Sequence, residues 1–568
     1  MIVFSWLKSI QSVDWHTRFP ASNHLAYISV VFALVIGVYS QYSALGNPYI
    51  FNDDARQHIF WTYTFSDKEL FPDDILTEYA RAYQPSGYVV LYYLACFVLD
   101  PLAFGKFLSI FLFALSALYI YKMLRLFTDN YTSFLGTLLF IVTPSFFHHM
   151  VGGFSRSFGF PLVLIFLYYL LRKKDISIVV ILLLQTLFYP MVFFICMITY
   201  SLSFILHGRV ISLQVSGKRA AIYIAGLLIC FSVLLVQHVI FRNPSIGTTV
   251  TRAQMVGKPE YYKHGRYQIL PPEPLLFLLK ENMSKGTLFT LSNPAYPRPR
   301  FFVNPGFFKN YFFFILLFLL FLWSLLKKTV HFPPEFLYLF LSGLAMFYIA
   351  DWMLLKFFLP QRYLEYTVPL ISLVMFVVVV REITGLIKNQ FLQKLVQVFV
   401  LVLVMINFQI IKNTGLVSTV HEKELYEFIA TLPKSSLIAA HPNVANNIPL
   451  LSKRRVFVNQ ELSHTWFDRY WALISARTFA LFDAYYGDNP SAIYQFCLDN
   501  AIDYILVDKS HFTDKFLVKG DIYFEPFNQY VKGLIKQRKT FVLSTIADKD
   551  KLFELNNKFI IHRDVLRQ

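Results

Sequence analysis

The chain has 568 residues, of which 56% are hydrophobic, 18% aromatic and only 15% charged. Soluble chains carry about 25% charged residues, so this balance, with a mean hydropathy of +0.49, excludes an ordinary soluble enzyme. The net charge of +17, from 52 Lys and Arg against 35 Asp and Glu, would suit a nucleic-acid binder. Many of the basic residues instead flank apolar runs, as at Arg172-Lys173-Lys174, Lys218-Arg219 and Lys327-Lys328, which is the pattern of cytoplasmic loops. No basic surface helix or single-strand-binding motif accompanies them, so no nucleic-acid partner is expected. The 4 Cys show no CxxC or Cys/His spacing for zinc.

In chain order, the first apolar run, about 24–41, reads as a retained membrane span. A polar loop at 42–85 follows. The apolar stretch 86–121 is too long for one span and is broken at Asp100-Pro101. Further candidate spans are about 131–148, 155–171, 176–189, 190–206, 220–240, 310–326, 335–350, 366–380 and 392–411. Placing the basic clusters together with Lys122, Arg125, Arg381 and Lys388 on one side of the membrane requires that 103–121 spans and that 86–99 is juxtamembrane or re-entrant. The expected fold is thus a polytopic α-helical membrane protein of eleven spans, with soft boundaries allowing up to thirteen. Its N-terminus is cytoplasmic, and the 42–85 loop, the 241–309 loop and everything after 411 lie outside.

From residue 412 to 568 the chain changes character. "SSLIAAHP", "RRVFVNQ" and "IDYILVD" are short apolar runs bounded by turn residues, as buried strands are. "DRYWALISARTFALFDAYYG" and "PSAIYQFCLDNA" read as helices between them. An extracytoplasmic α/β domain is expected here, without a catalytic triad or phosphate loop.

The first outer loop opens with Asn52-Asp53-Asp54-Ala55-Arg56-Gln57-His58. Asp54 is placed to cap a helix over "ARQHIFWTY". The alternative is functional: two adjacent carboxylates stand beside a phosphate-binding Arg56 and a titratable His58, with Asp73, Asp74 and Glu78 in the same loop. In the 241–309 loop, His264 and Arg266 are candidates for contacts to sugar or phosphate, with ordinary loop residues as the default reading.

A span, then an acidic pair at the start of the first outer loop, then a many-span body and a C-terminal soluble domain, resembles the GT-C superfamily of membrane glycosyltransferases. That superfamily includes O-mannosyltransferases, aminoarabinose transferases and oligosaccharyltransferases. The "MLRLFTDNYTSFLGTLLFIVTPSFFHHMVGGFSRSFGFPLVLIFLYYLLRKK" region and "LPQRYLEYTVPL" are similar to GT-C segments, and the C-terminal strands to those of uncharacterised bacterial members. The chain lacks the Trp-Trp-Asp signature of oligosaccharyltransferases, and Gln84-Pro85-Ser86-Gly87 stands where O-mannosyltransferases carry His-Pro-Pro.

The resemblance implies a polyprenyl-phosphate sugar donor and a glycan, lipid or protein acceptor, met at the outer face of a bacterial inner membrane among membrane lipids. It implies Asp54 or Asp53 as the general base, Asp54 being preferred, with Asp53 orienting it or touching a metal. Asp53 and Asp54 together with Asp73 or Glu78 could hold Mg²⁺ or Mn²⁺, and both metal-dependent and metal-independent members exist. The leaving lipid phosphate needs cations. Arg362 is the first choice, followed by Arg156, after two glycines, and Arg56; Arg81, Arg298 and Arg300 are the other outward arginines. The competing readings are a lipid or polysaccharide transporter or flippase, which would place charges within the spans, and a non-catalytic membrane scaffold.

Overall fold

The structure is a computed structural model that describes residues 23–207, 210–211, 217–240, 244–285, 312–326, 332–406, 412–519, 521–538 and 540–567. Each of the eleven segments expected to span contains a helix. Among the described residues, five helices are long and apolar enough to cross a membrane: His24–Leu45, Pro101–Leu124, Gly217–Gln237, Glu335–Trp352 and Gln361–Gly385. The chain is a helical membrane protein. The stretch 86–99 forms only the ten-residue helix Ser86–Ala95, about 15 Å long, half the thickness of a hydrocarbon core.

Four features of the helical body position the loops that follow Asn23–Leu45 and precede Pro101–Leu124. Helix α1 (Asn23–Leu45) packs along α2 (Pro101–Leu124). Buried Lys106 of α2 donates to the carbonyls of Ala44 (2.7 Å) and Asn47 (2.9 Å). Both carbonyls also accept from backbone amides, those of Asn47 and Ile50, so the ammonium is a second donor to each and fixes where the first loop departs. Asp100 caps α2 by accepting from the amides of Leu102 and Ala103, with Pro101 in its first turn. Next to Gly105 on α2 lies the turn Gly152-Gly153, both at positive φ (+95° and +67°). A Cβ on Gly153 would lie 2.6 Å from the Gly105 carbonyl oxygen and 2.7 Å from its Cα, so two backbones meet there with no side chain between them. Tyr92 locks the contact by donating to the Gly153 carbonyl at 3.1 Å.

The C-terminal portion forms a five-stranded sheet. In chain order its strands are β3 (Leu437–Ala440), β4 (Arg455–Val456), β5 (Tyr504–Asp508), β6 (Phe553–Leu555) and β7 (Lys558–His562). The spatial order is β4-β3-β5-β7-β6: the first three are parallel, and β7 is antiparallel to both β5 and β6. Residues 438–440 and 505–508 are buried throughout, as strands covered on both faces are. The crossover from β4 to β5 runs through helices Asp468–Tyr485 and Pro490–Asp499. The C-terminal hairpin β6–β7 is an addition to the strands expected from sequence.

This unit is tied to the first loop. Strand β1 (Ile50–Phe51) pairs antiparallel with β2 (Val417–Ser418), matching Ile50 to Ser418 and Phe51 to Val417. Asn52 continues the tie by donating to the Gly415 carbonyl at 2.7 Å.

The Gly105–Gly153 contact predicts that Gly105→Ala costs about 1–3 kcal/mol through overpacking, read as a lowered melting temperature in detergent. Gly46→Ala, where an added Cβ meets nothing within 4 Å, should leave the melting temperature unchanged.

Candidate active site

The acidic pair lies at the start of a four-residue helix, Ala55–His58. Asp54 holds the N-cap position, but its side chain makes no cap hydrogen bond. It turns instead to Arg156, with which it forms an ion pair. Its other oxygen, Oδ1, accepts from Gln57 Nε2 at 3.0 Å. Asp74, by contrast, does cap its own helix: it is buried and accepts from the Thr77 amide (2.9 Å) and hydroxyl (2.7 Å) at the start of helix Ile75–Ala82.

Asn52 organises the pair. Its Oδ1 accepts from the Asp54 amide at 3.1 Å and from Arg156 Nη2 at 3.4 Å, while its Nδ2 is held by Gly415. Arg156 follows the Gly152-Gly153 turn in a short 3₁₀ segment, Ser155–Phe158, and Tyr366 donates to its carbonyl at 3.3 Å. The guanidinium lies 5.4 Å from the centre of the Phe154 ring. Three separate parts of the chain therefore converge on one carboxylate.

These groups line a cavity of about 660 Å³. Asp54, His58, Arg156, Arg266 and Arg362 all border it. Arg362 is steadied by Glu365 at 3.1 Å. Met191, Phe194, Leu234, Leu355, Phe357 and Leu359 make another part of the wall apolar, so the cavity is amphipathic. Its lining also includes Glu461, His464 and Trp466 from the C-terminal unit, none of which the sequence singled out. Arg56 does not line the cavity; it reaches Glu461 at 3.2 Å.

The remaining candidates lie elsewhere. Asp53 is exposed and accepts from the Asp54 amide at 3.1 Å. Asp73 (φ 50°) and Glu78 are exposed, and Glu78 sits in the first turn of helix Ile75–Ala82, where a carboxylate complements the helix dipole. His264 is 58% exposed and stands 3.9 Å from Asp521. Arg81 lies over the Phe65 ring. Arg298 and Arg300 fall outside the described residues.

The electrostatics separate the two carboxyls. Burial pushes the Asp54 carboxyl up, but Arg156, with Arg362 and the Gln57 hydrogen bond, outweighs it and holds the group at about 2. Although its surface reaches solvent, Asp53 is pushed above the ordinary carboxylate value by partial desolvation from the chain packed around it and by the adjacent Asp54 anion. Burial depresses His58 to about 4, so near neutral pH it is an uncharged ring. Gln84 Nε2 lies 3.1 Å from its Nδ1, which assigns the ring proton to Nε2.

The expectation of Mg²⁺ or Mn²⁺ meets a donor set that does not fit. Among the described residues no three His, Cys, Asp or Glu side chains gather as ligands. Of the two adjacent carboxylates, one is committed to an arginine and the other is turned to solvent.

No family model matches the chain, and no curated protein matches its sequence. Solved structures do. The ArnT of Cupriavidus metallidurans, crystallised with undecaprenyl phosphate, aligns with a TM-score of 0.51 over 96% of this chain and 98% of its own, at 10% identity. The oligosaccharyltransferase AglB of Archaeoglobus fulgidus, in complex with an inhibitory peptide and a dolichol-phosphate, aligns with a TM-score of 0.49 over 90% of this chain and 72% of its own, at 12% identity. The apo form of that archaeal enzyme gives 0.48 over 87% and 70%, also at 12% identity. At this identity the match to ArnT shows the fold alone: this chain shares the fold of ArnT, a membrane glycosyltransferase of the superfamily that the sequence resembles.

The Asp54–Arg156 pair sets a sign for pH. With a folded value of about 2, the carboxylate's contribution to stability is fully present above its ordinary range and is lost as pH falls through about 2. Arg156→Gln leaves burial less opposed, so the Asp54 carboxyl should move upward. The check is the protonated-carboxyl infrared band that Asp54→Asn abolishes: it should appear at higher pH in Arg156→Gln than in the native protein.

Proposed function

We propose that the protein transfers a sugar from a polyprenyl-phosphate donor to a hydroxyl of a glycan, lipid or protein acceptor at the outer face of a membrane. The observation that carries this reading is the cavity itself, which sets two carboxylates, Asp54 and Glu461, and three arginines, Arg156, Arg266 and Arg362, against an apolar wall. A polyprenyl-phosphate sugar has the matching chemistry: an apolar tail, an anionic phosphate and a reactive anomeric carbon. ArnT, which has the same fold, was crystallised with undecaprenyl phosphate, and this supports a lipid phosphate as the occupant here.

The reaction balances as follows. Arg156 and Arg362 take the donor phosphate, as guanidinium forks bind phosphate oxygens. The acceptor oxygen attacks the anomeric carbon, its proton passes to Asp54, and the sugar–phosphate bond breaks with its electron pair going to the lipid phosphate. A carboxylate held at about 2 is a weak base in the resting site. Donor phosphate competes with Asp54 for Arg156. Once that competition loosens the ion pair, burial raises the carboxyl toward a useful basicity. Asp53 orients Asp54 through its amide, and Arg56 holds Glu461 at the edge of the site.

The C-terminal unit, 412–568, covers the cavity from the outer side in this reading, with the N-terminus cytoplasmic and the protein in a bacterial inner membrane.

Purified protein given radiolabelled polyprenyl-phosphate sugars and membrane lipid extract tests the reaction. Asp54→Asn should lower turnover by about 10²–10⁴-fold, the usual scale of general acid–base catalysis; because it leaves Arg156 without its carboxylate it should also lower the melting temperature, while the far-UV circular dichroism spectrum stays native. Arg362→Gln should chiefly raise the donor concentration needed. Equal turnover of native and Asp54→Asn protein would end the base assignment. An EDTA arm tests the divalent-cation expectation: loss of transfer would call for ligands that the described residues do not gather.

A further inference from the structure

Two histidines lie deep in the C-terminal unit and do not line the cavity. His441 follows β3 and His511 follows β5, so two adjacent parallel strands deliver them to the same edge of the sheet. Both are buried, with ring centres 4.4 Å apart. Phe482 and Tyr485 of helix Asp468–Tyr485, Phe516 of helix Asp514–Lys519 and Tyr523 enclose the pair.

Both Nδ1 atoms face donors. His441 Nδ1 accepts from the Asn443 amide at 3.4 Å, at the start of helix Pro442–Ala445. The Tyr485 hydroxyl accepts from the Asp508 amide at 3.0 Å and stands 3.1 Å from His511 Nδ1, which assigns the hydroxyl hydrogen to that nitrogen. His441 Nε2 faces the Ile522 carbonyl without closing a hydrogen bond. The surrounding charges give a further proton little support. Asp508 lies beside His511, but its Oδ1 already accepts from the Ser510 amide (2.9 Å) and hydroxyl (2.6 Å). Lys558, opposite Asp508 in the sheet, is ion-paired with Glu422. Asp514 and Lys515 are exposed. Burial pushes both imidazoles below the ordinary histidine value, His441 far below it and His511 to about 4. The neighbouring His511 adds to the effect on His441; on His511, Asp508 opposes it and Lys558 adds to it.

The position of the pair gives it leverage on the cavity. Ile522 and Tyr523 belong to a strap, 521–527, that reaches from the histidines to the 241–309 loop. The Glu525 amide donates to the His264 carbonyl at 2.9 Å, and Glu525 forms a parallel bridge with Gly265. The Glu525 carboxylate is turned to Asn528 and Gln529. The next two residues of the loop, Arg266 and Tyr267, line the cavity. One contact on the strap has the opposite sign: His264 stands 3.9 Å from Asp521 and would hold it more firmly when protonated, but both side chains are mostly exposed, so the gain is small.

We propose that His441 and His511 form an acid-sensitive latch: uncharged, the two rings hold the strap and through it Gly265–Tyr267 at the cavity wall, and a proton on either ring releases it. An imidazolium in this aromatic cage has neither water nor an uncommitted carboxylate, whereas a released ring has water. The latch is fully formed above the ordinary histidine value of about 6.5. It weakens as pH falls from there toward the folded values, because the released state takes up protons that the closed state refuses. The limiting slope is about tenfold per pH unit for each histidine. The latch does not rest on the transfer reading, since it acts on the wall whatever the cavity holds.

Hydrogen–deuterium exchange of the full-length protein in nanodiscs tests this, with labelling times scaled for the intrinsic pH dependence of exchange. From about pH 7 to about pH 5, protection of peptides covering 521–528 and 264–269 should fall by about tenfold or more, while β3 and β5 keep theirs. His441→Asn and His511→Gln, which put an amide oxygen in place of Nδ1 and do not titrate, should each remove part of the fall. His58 and His464 in the cavity are also depressed by burial and remain in both variants, so the difference between native and variant reads the latch. If neither variant folds, 2-fluorohistidine in place of histidine, a nearly isosteric ring that stays uncharged in this range, should abolish the fall. Unchanged protection in the native protein overturns the proposal. So does a fall that persists in full in the variants or in the fluorinated protein, or an equal loss in β3 and β5.

Discussion

A carboxylate drawn partly out of water needs a cation, and much of the loop architecture keeps Arg156 beside Asp54. Leaving either charge unpaired in a semi-enclosed cavity would be costly. The pair is therefore fixed from both sides. Arg156 stands on a backbone turn that presses directly on α2 at Gly105, and Asp54 stands on a turn whose amide is held by Asn52. Asn52 also touches Arg156 and the Gly415 carbonyl, so one amide side chain couples the first loop, the segment that follows the Gly152-Gly153 turn and the start of the C-terminal unit. Such support from neighbouring groups is what holds a polar site in working geometry.

The cavity's two chemistries follow from where its walls come from. The apolar wall belongs to the helices and the 355–359 turn, and the polar wall to the loops, the C-terminal unit and Arg362 at the start of helix Gln361–Gly385. A molecule with a hydrocarbon tail can keep that tail among the helices while its head group meets arginines. The division of labour is a property of the boundary between lipid and water, where neither a wholly apolar nor a wholly polar pocket would suit an amphipathic guest.

Much of this was legible in the sequence because it is local. Apolar runs gave the helices, the break at Asp100-Pro101 gave the cap of α2, and short apolar runs gave β3, β4 and β5. Asp54, Arg156, Arg266 and Arg362 were each identified singly, and the structure brings all four to one cavity. The functions of the loop acids were harder to divide. Asp54 and Asp74 both precede helices, and only the direction of the side chain shows that Asp74 caps while Asp54 pairs. Glu461, His464 and Trp466 were missed because their neighbours lie hundreds of residues away: Glu461 meets Arg56, and His464 meets Tyr79. The local signal was a polar–aromatic run, "ELSHTWFD", between a strand and a helix, which reads as an ordinary connection until the loops opposite it are in place.

The pairing of β1 with β2 has a consequence for biogenesis. The strand that precedes the acidic pair is completed by residues 417–418, and the Asn52 hub by Gly415. Ribosomes deliver the first loop long before either partner exists. Until the polypeptide has been threaded into the bilayer almost to its end, Asn52 lacks its acceptor and the cavity lacks the wall that carries Trp466. The order of synthesis therefore keeps a half-inserted chain from presenting a finished pocket to the lipids around it.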